Sequence, residues 1–383
     1  MPRLLYLLAL CNLVLGTGAF LINGILTPVS TDLGVSVAAA GQAMTVYALS
    51  TALIAPLMLV ATGRWPRRQA LVFGLLLFAL GSGVCALAGN LTVLLMGRAL
   101  MGVGAMFTPL AAGIAVALVE PGKRGRALSL VFLGMSMSYV IGLPLGAWLG
   151  FRYGWQVPVA LVGMLAVVAA AAVWALCPKH VAAPGASFNG LGTVLGNPPV
   201  FWGLLMTLSY FVAIFVVFAF IGPVLQALSP MSSNRLSLSL MLFGVAGVIG
   251  TVLGGWANDR FGAPRTLKVQ LSVLLTMMTL VPLTQGHYPL TMLAFFVWGV
   301  AGFGMMTPQQ SRLAQLSPAQ APVLLSLNTS MLYFGTALGA AVGGAVSGSV
   351  GFAQLAWVGA LFALAGLGAL WMSTHKTPLL QMP

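Results

Sequence analysis

The chain has very little charge, and almost none of one sign. Three acids, Asp32, Glu120 and Asp259, stand in 383 residues, and charged side chains of both signs together make up 5%. Ordinary globular proteins carry roughly 25%, so a water-soluble surface is excluded. Histidine is as scarce: His180, His287 and His375 all fall in connecting segments. An active site needs a nucleophile with a base, or a His and carboxylate set, converging in one place. With every acid and His at the ends of apolar runs, an enzyme is not expected. Cys11, Cys85 and Cys177 are an odd number with no pairing framework and no metal-ligand spacing. No metal and no cofactor are therefore expected. A phosphate loop of the form Gly-x-x-x-x-Gly-Lys-[Ser/Thr] does not occur, which argues against ATP drive. No ring of charges or filter-like loop suggests a channel.

Hydrophobic residues make up 60% of the chain. Apolar stretches bounded by charges or turn residues predict helices near 4–27, 39–61, 69–89, 91–119, 126–150, 155–177, 199–224, 235–257, 266–285, 289–311, 322–348 and 352–373. Each approaches or exceeds the ~20 residues that cross a bilayer core. Barrel strands would be only ~10 residues of alternating polarity. The first run is too long for a signal-peptide core and is read as a retained span. The fold class is therefore all-α, integral to the membrane, with twelve spans.

Net charge is +13, but the Lys and Arg residues occur singly or in threes between apolar runs. Nucleic-acid binding would need them clustered on one face, so no nucleic acid is expected as a partner. With the N-terminus inside, all sixteen basic residues except Arg98, Arg152 and Arg235 fall on the cytoplasmic side. These include Arg64, Arg67 and Arg68, then Lys123, Arg124 and Arg126, then Lys179, and later Arg260 and Arg312. The positive-inside rule then places both termini in the cytoplasm. The lipid bilayer and a small-molecule substrate are the expected partners, and the protein is read as a monomer of a bacterial inner membrane.

The halves echo each other at a shift of about 197 residues. Gly63-Arg64-Trp65-Pro66-Arg67-Arg68 after the second span matches Asp259-Arg260-Phe261-Gly262-Ala263-Pro264-Arg265 after the eighth. Thr108-Pro109 matches Thr307-Pro308, and Gly142 with Gly146 matches Gly339 with Gly343. The expected organisation is a six-helix bundle over 1–177, a cytoplasmic linker over 178–198, a second bundle over 199–373 and a tail over 374–383. Doubled six-span units that rock around a midplane site are a transporter architecture.

Over its whole length the sequence resembles the major facilitator superfamily. The basic loop after the second span resembles that superfamily's helix 2–3 signature, and Gly255-Trp-Ala-Asn-Asp259-Arg260-Phe-Gly262 matches it better. Arg98 with Gly102 and Gly104 resembles the helix 4 signature. Gly134, Gly142, Pro144 and Gly146 resemble the helix 5 motif of antiporters. Gly24-Ile-Leu-Thr-Pro28-Val-Ser-Thr-Asp32-Leu-Gly34-Val-Ser36, with Gln42, is similar to efflux permeases for purine bases, nucleosides and sugars. The resemblance implies alternating access, with Arg64, Arg67, Arg68, Asp259, Arg260, Gly142, Pro144 and Gly146 in the gating apparatus. Gly63 stands where the family usually has Asp, which leaves Asp259 as the carboxylate of a lopsided gate.

No acid falls at mid-membrane, and the related permeases often have Glu where this chain has Ala19. Proton antiport is the candidate coupling, with Arg98 and Asp32 as the charged groups. Arg98 is either that coupling residue or an arginine snorkelling to the interface. Asn12, Gly16, Ala19 and Asn23 recur at four, three and four residues, hence on one helical face. By family analogy that face lines the cavity. The substrate candidates are Asn12, Asn23, Gln42, Ser136, Tyr139, Tyr210, Gln309, Asn328 and Tyr333. Amides donate and accept, which suits a neutral nucleobase, nucleoside or sugar. The other reading of these amides is bridging between helices. Export of such a metabolite leads; multidrug efflux antiport and a gradient-independent facilitator are the alternatives. The glycine stripes of spans 5 and 11 are expected at the interface between halves, with a kink at Pro144.

Overall fold

The computed structural model describes residues 3–120, 124–178, 196–317 and 321–375. Among these residues no strand occurs, and twelve helices are long and apolar enough to span a bilayer. They are α1 Arg3–Gly24, α2 Val37–Ala61, α3 Arg67–Ala86, α4 Leu91–Ala117, α5 Arg126–Tyr153 and α6 Gln156–Leu176. The second set is α7 Pro198–Phe218, α8 Ser233–Phe261, α9 Ala263–Thr284, α10 Tyr288–Leu316, α11 Val323–Val350 and α12 Phe352–His375. Lipid offers no hydrogen-bond partner, so a lone spanning segment must satisfy its backbone within itself. Apolar residues therefore run all round these helices: in α1, Leu5, Leu8 and Leu15 are buried while Leu10 is exposed. Lys123, Lys179, His180 and most of the 178–198 linker and the tail lie outside the described residues.

Short connections carry local signals. Ser36 caps α2 by accepting the Ala39 N–H at 3.1 Å, and Asn90 caps α4 by accepting that of Val93 at 3.0 Å. Gly154 (φ 94°) and Gly351 (φ 78°) begin the turns into α6 and α12 in a conformation that side chains disfavour. The two glycines sit at matched places in the repeat.

Prolines break the spans at matched places too. A proline has no N–H for the carbonyl four residues back, and its ring crowds that carbonyl. α1 ends at Gly24, and a short helix, Leu26–Asp32, carries Pro28. α7 ends at Phe218, and the helix Ile221–Leu228 carries Pro223. α4 is interrupted at Ala105 and Met106 ahead of Pro109, and α10 at Gly304 and Met305 ahead of Pro308. α5 passes Pro144 by widening into a π-helical turn over Ser138–Gly142. The uninterrupted first, fourth, seventh and tenth spans expected from hydropathy are corrected accordingly. The spacing of Pro28, Pro109, Pro223 and Pro308 was the available signal.

The described residues up to 178, with 232–244, form one compact unit; those over 196–231 and from 245 onward form the other. In the first, α1 packs on α5 and α6, α3 on α4 and α6, and α2 on α4. In the second, α7 packs on α11 and α12, and α9 on α10 and α12. Gly250 and Gly254 seat α8 on the α10 backbone at Val300 and Gly304. The repeat seen in sequence is a repeat of packing.

The glycine stripes require a correction. They pack inside each unit, not between the halves. On α5, a Cβ at Gly134 would overlap the Ala9 carbonyl oxygen, one at Gly142 the Thr17 side chain, and one at Gly146 Leu21, all on α1. On α11, Cβ atoms at Gly335, Gly339 and Gly343 would lie 2.6, 2.8 and 2.6 Å from the carbonyl oxygens of Leu208, Val212 and Val216 on α7. Spacing defines a helical face but not the neighbour that the face meets.

Candidate functional site

Arg98 organises the first unit. It is 1% exposed, so the snorkelling reading does not hold. Nη1 donates to the Gly18 carbonyl at 2.8 Å, Nη2 to that of Ala19 at 2.7 Å, and Nε to that of Ala43 at 3.2 Å. Its guanidinium carbon lies 4.7 Å from the centre of the Tyr47 ring, a favourable cation–π placement. The charge is thus met by three backbone carbonyls of α1 and α2, with no carboxylate. A cavity of about 10 Å³ beside it is lined by Gly18, Ile22, Ser82, Cys85 and Val162 among others. That is the lower limit for a single water.

Asn12 and Asn23 share a helical face but not a fate. Asn12 Nδ2 donates to the Val131 carbonyl on α5 at 3.1 Å, and its Oδ1 accepts the Thr108 hydroxyl of α4 at 2.8 Å. It bridges three helices. Asn23 is equally buried, and among the described residues neither its Nδ2 nor its Oδ1 has a hydrogen-bond partner. It sits one residue before the end of α1, where Pro28 breaks the span.

The remaining candidates of this unit are dispersed. Gln42 is half-buried and reaches only the Ala38 carbonyl of its own helix, at 3.5 Å. Ser136 is half-buried, and Tyr139, in the π-helical turn, stacks on Phe20 with ring centres 4.7 Å apart. Asp32 is exposed, and its Oδ2 accepts Trp155 Nε1 at 2.8 Å and Gln156 Nε2 at 2.7 Å. It fastens the end of the short helix to the start of α6. Arg64 is exposed, Arg67 is buried, and Arg68 donates to the Trp174 carbonyl at 3.3 Å with its guanidinium over the Trp174 ring.

In the second unit, Gln309, Asn328 and Tyr210 fall among buried polar contacts. Gln309 Nε2 donates to the Gly203 carbonyl at 2.7 Å and to Thr207 Oγ1 at 2.8 Å. Thr207 in turn donates to Asn328 Oδ1 at 2.6 Å. The Tyr210 hydroxyl donates to the Gly302 carbonyl on α10. Tyr333 is half-buried, while Asp259 and Arg260 are exposed at the end of α8, with Asn258 Nδ2 3.3 Å from Asp259 Oδ1. Arg312 was missed as a site residue. Counted in sequence among the cytoplasmic charges, it is 4% exposed within α10 and donates to Ser373 Oγ on α12 at 2.8 Å. Its position one turn from the span end concealed this.

Among the described residues, no group of three or more His, Cys, Asp and Glu could hold a metal ion. Twelve spans in two units with the same internal pairing are the architecture of a polytopic membrane transporter. The chain belongs to the Major Facilitator Superfamily, whose model matches residues 8–322. It is 31% identical over 367 residues to the inner membrane transport protein YdhP of Escherichia coli (strain K12), covering 95% of this chain and 94% of that one. It is 28% identical over 375 residues to the uncharacterized MFS-type transporter YbcL of Bacillus subtilis (strain 168), covering 98% and 96%. Among solved structures it resembles an inward-facing, occupied bacterial homolog of the human lysosomal transporter Spinster. The TM-score is 0.81 at 17% identity, over 99% of this chain and 98% of that one. It also resembles a mutant form of the nucleoside transporter NupG, with TM-score 0.77 at 13% identity over 96% and 98%.

Proposed function

We propose that this transporter exports a small neutral polar metabolite, a nucleobase, nucleoside or sugar, across a bacterial inner membrane by alternating access, with both termini cytoplasmic. One observation carries the reading. Asn23 holds a donor and an acceptor side by side, fully buried and without partners, at a proline-induced break in α1. Broken helices are where transporters of this architecture commonly form their sites. An amide in that state complements a ligand edge that also donates and accepts, as an asparagine does with adenine. The cationic charge of Arg98 is already met by carbonyls, and all three acids stand at the ends of spans. That environment favours neutral cargo over cationic drugs. One structural neighbour is a nucleoside transporter, which is compatible with this cargo class. Protons are the candidate coupling ion. The lack of a mid-span carboxylate supports a gradient-independent facilitator as the second reading.

Equilibrium binding to the purified protein tests the cargo class, with labelled adenine, adenosine and glucose set against a cationic dye. The expected result is binding of a neutral ligand that weakens at least tenfold in Asn23→Leu. Binding of the dye alone, or of a neutral ligand with unchanged affinity in that variant, overturns the proposal.

A further inference from the structure

Arg98 and Arg312 are both buried within spans, and the protein treats them differently. Arg98 directs all three of its guanidinium nitrogens at backbone carbonyls. Among the described residues Arg312 makes one hydrogen bond, from Nη2 to Ser373 Oγ, and that hydroxyl donates onward to the Pro199 carbonyl at 2.5 Å. Arg312 Nη1 is buried with no partner among the described residues. The adjacent Leu313 packs with Val200, Leu204 and Leu324 in a buried apolar cluster. A buried cation in such a place needs a counter-charge. Among the described residues no carboxylate is buried: Asp32, Glu120 and Asp259 are all exposed.

Polar atoms along the same stretch of α7 are also incompletely matched. Gln309, one turn earlier on α10, uses its Nε2 on Gly203 and Thr207 and leaves Oε1 without a partner. Asn328 accepts from Thr207 through Oδ1 and leaves Nδ2 without one. Gly203 lets the α7 backbone come close: a Cβ there would stand 3.7 Å from Arg312 Nη1 and 3.5 Å from Ser373 Oγ. The unmet groups are thus a cationic donor, a neutral donor and one acceptor, gathered around the same stretch of α7. In the first unit, by contrast, Asn12 is matched, accepting from Thr108 and donating through Nδ2 to the Val131 carbonyl.

We propose that Arg312 binds a small carboxylate in the second unit, with Asn328 Nδ2 as the second donor. A guanidinium presents parallel N–H groups that match the two oxygens of a carboxylate better than a spherical halide. The site is assembled from residues of the second unit alone and takes nothing from Asn23.

Thermal unfolding of the purified full-length protein tests this, with sodium acetate replacing sodium chloride at fixed sodium concentration. A saturable rise in Tm is expected for the wild type and none for Arg312→Gln. Arg312→Gln should fold well, because it removes an uncompensated charge, and its Tm in chloride should equal or exceed that of the wild type. Arg312→Lys keeps the charge but loses the fork, and Asn328→Leu loses the second donor. Each should move the acetate midpoint at least tenfold higher, which keeps the test decisive if Arg312→Gln expresses poorly. An equal rise in Arg312→Gln, unchanged midpoints in the other two variants, or no saturable rise in the wild type overturns the proposal.

Discussion

Thr108 donates its hydroxyl to Asn12 Oδ1 at 2.8 Å, joining α4 to α1, and Thr207 donates to Asn328 Oδ1 at 2.6 Å, joining α7 to α11. The second pair is buried and the first partly so, and in each unit a Thr–Asn hydrogen bond ties the first span to another span. Polar bonds between membrane helices average about 0.6 kcal/mol and reach about 1.7 kcal/mol. A double-mutant cycle with Asn12→Ala and Thr108→Val should give a coupling energy in that range by reversible unfolding. A coupling indistinguishable from zero would mean that the contact contributes nothing to holding α1 and α4 together.

Asn23 is the opposite case, and its replacement should stabilise the protein. An unsatisfied buried polar group costs about 1–3 kcal/mol. Asn23→Leu should therefore unfold at a higher temperature than wild type while binding ligand less well. A fall in Tm would show that the amide is satisfied within the protein, and it would remove the reason for placing cargo there.

The fold was readable where physics acts on long stretches. Twelve apolar runs gave twelve spans, and the echo between Thr108-Pro109 and Thr307-Pro308 gave the doubled unit. The partners of single side chains were not readable. Asn12 and Asn23 are indistinguishable by spacing, yet Thr108, 96 residues along the chain, satisfies only the first. Arg312 looked like a loop charge because one helical turn decides whether a long side chain points to water or inward. Gly142 and Gly146 announced a close approach, but only folding could say that α1 is what approaches.

Arg98 should be intolerant of conservative change. Lysine has the charge but cannot reach the Gly18, Ala19 and Ala43 carbonyls together. Hydrogen bonds to charged groups contribute about 1.5–3 kcal/mol each, so Arg98→Lys should lower stability measurably and Arg98→Met should lower it further. An arginine snorkelling to the interface would accept lysine at no loss, so an unchanged Tm for Arg98→Lys would count against the buried cage.

Asp32 acts through one oxygen, which accepts from Trp155 and Gln156. An asparagine can accept the same two bonds through its carbonyl, and alanine cannot. Asp32→Asn should keep near-native stability, while Asp32→Ala should lose about 0.5–1.5 kcal/mol for each broken bond. If transport fails in Asp32→Asn with stability intact, the charge itself is needed, and Asp32 returns to the coupling apparatus.

Glycine at 134 should be irreplaceable while glycine at 83 is not. A Cβ at Gly134 would collide with the Ala9 backbone, whereas one at Gly83 would meet nothing within 4 Å. Overpacking costs about 1–3 kcal/mol where neighbours can shift, and a carbonyl in a helix shifts poorly. Gly134→Ala should therefore reduce the yield of folded protein, and Gly83→Ala should behave as wild type. Equal yields would contradict the backbone contact between α1 and α5.

Uptake into inverted membrane vesicles tests the cargo most directly, with labelled purines, nucleosides, sugars and a cationic dye run in parallel. Entry of a neutral metabolite into vesicles carrying the wild-type protein, lost in Asn23→Leu, is the expected result. Entry of the dye alone, with every neutral compound excluded, would contradict a neutral cargo bound at Asn23.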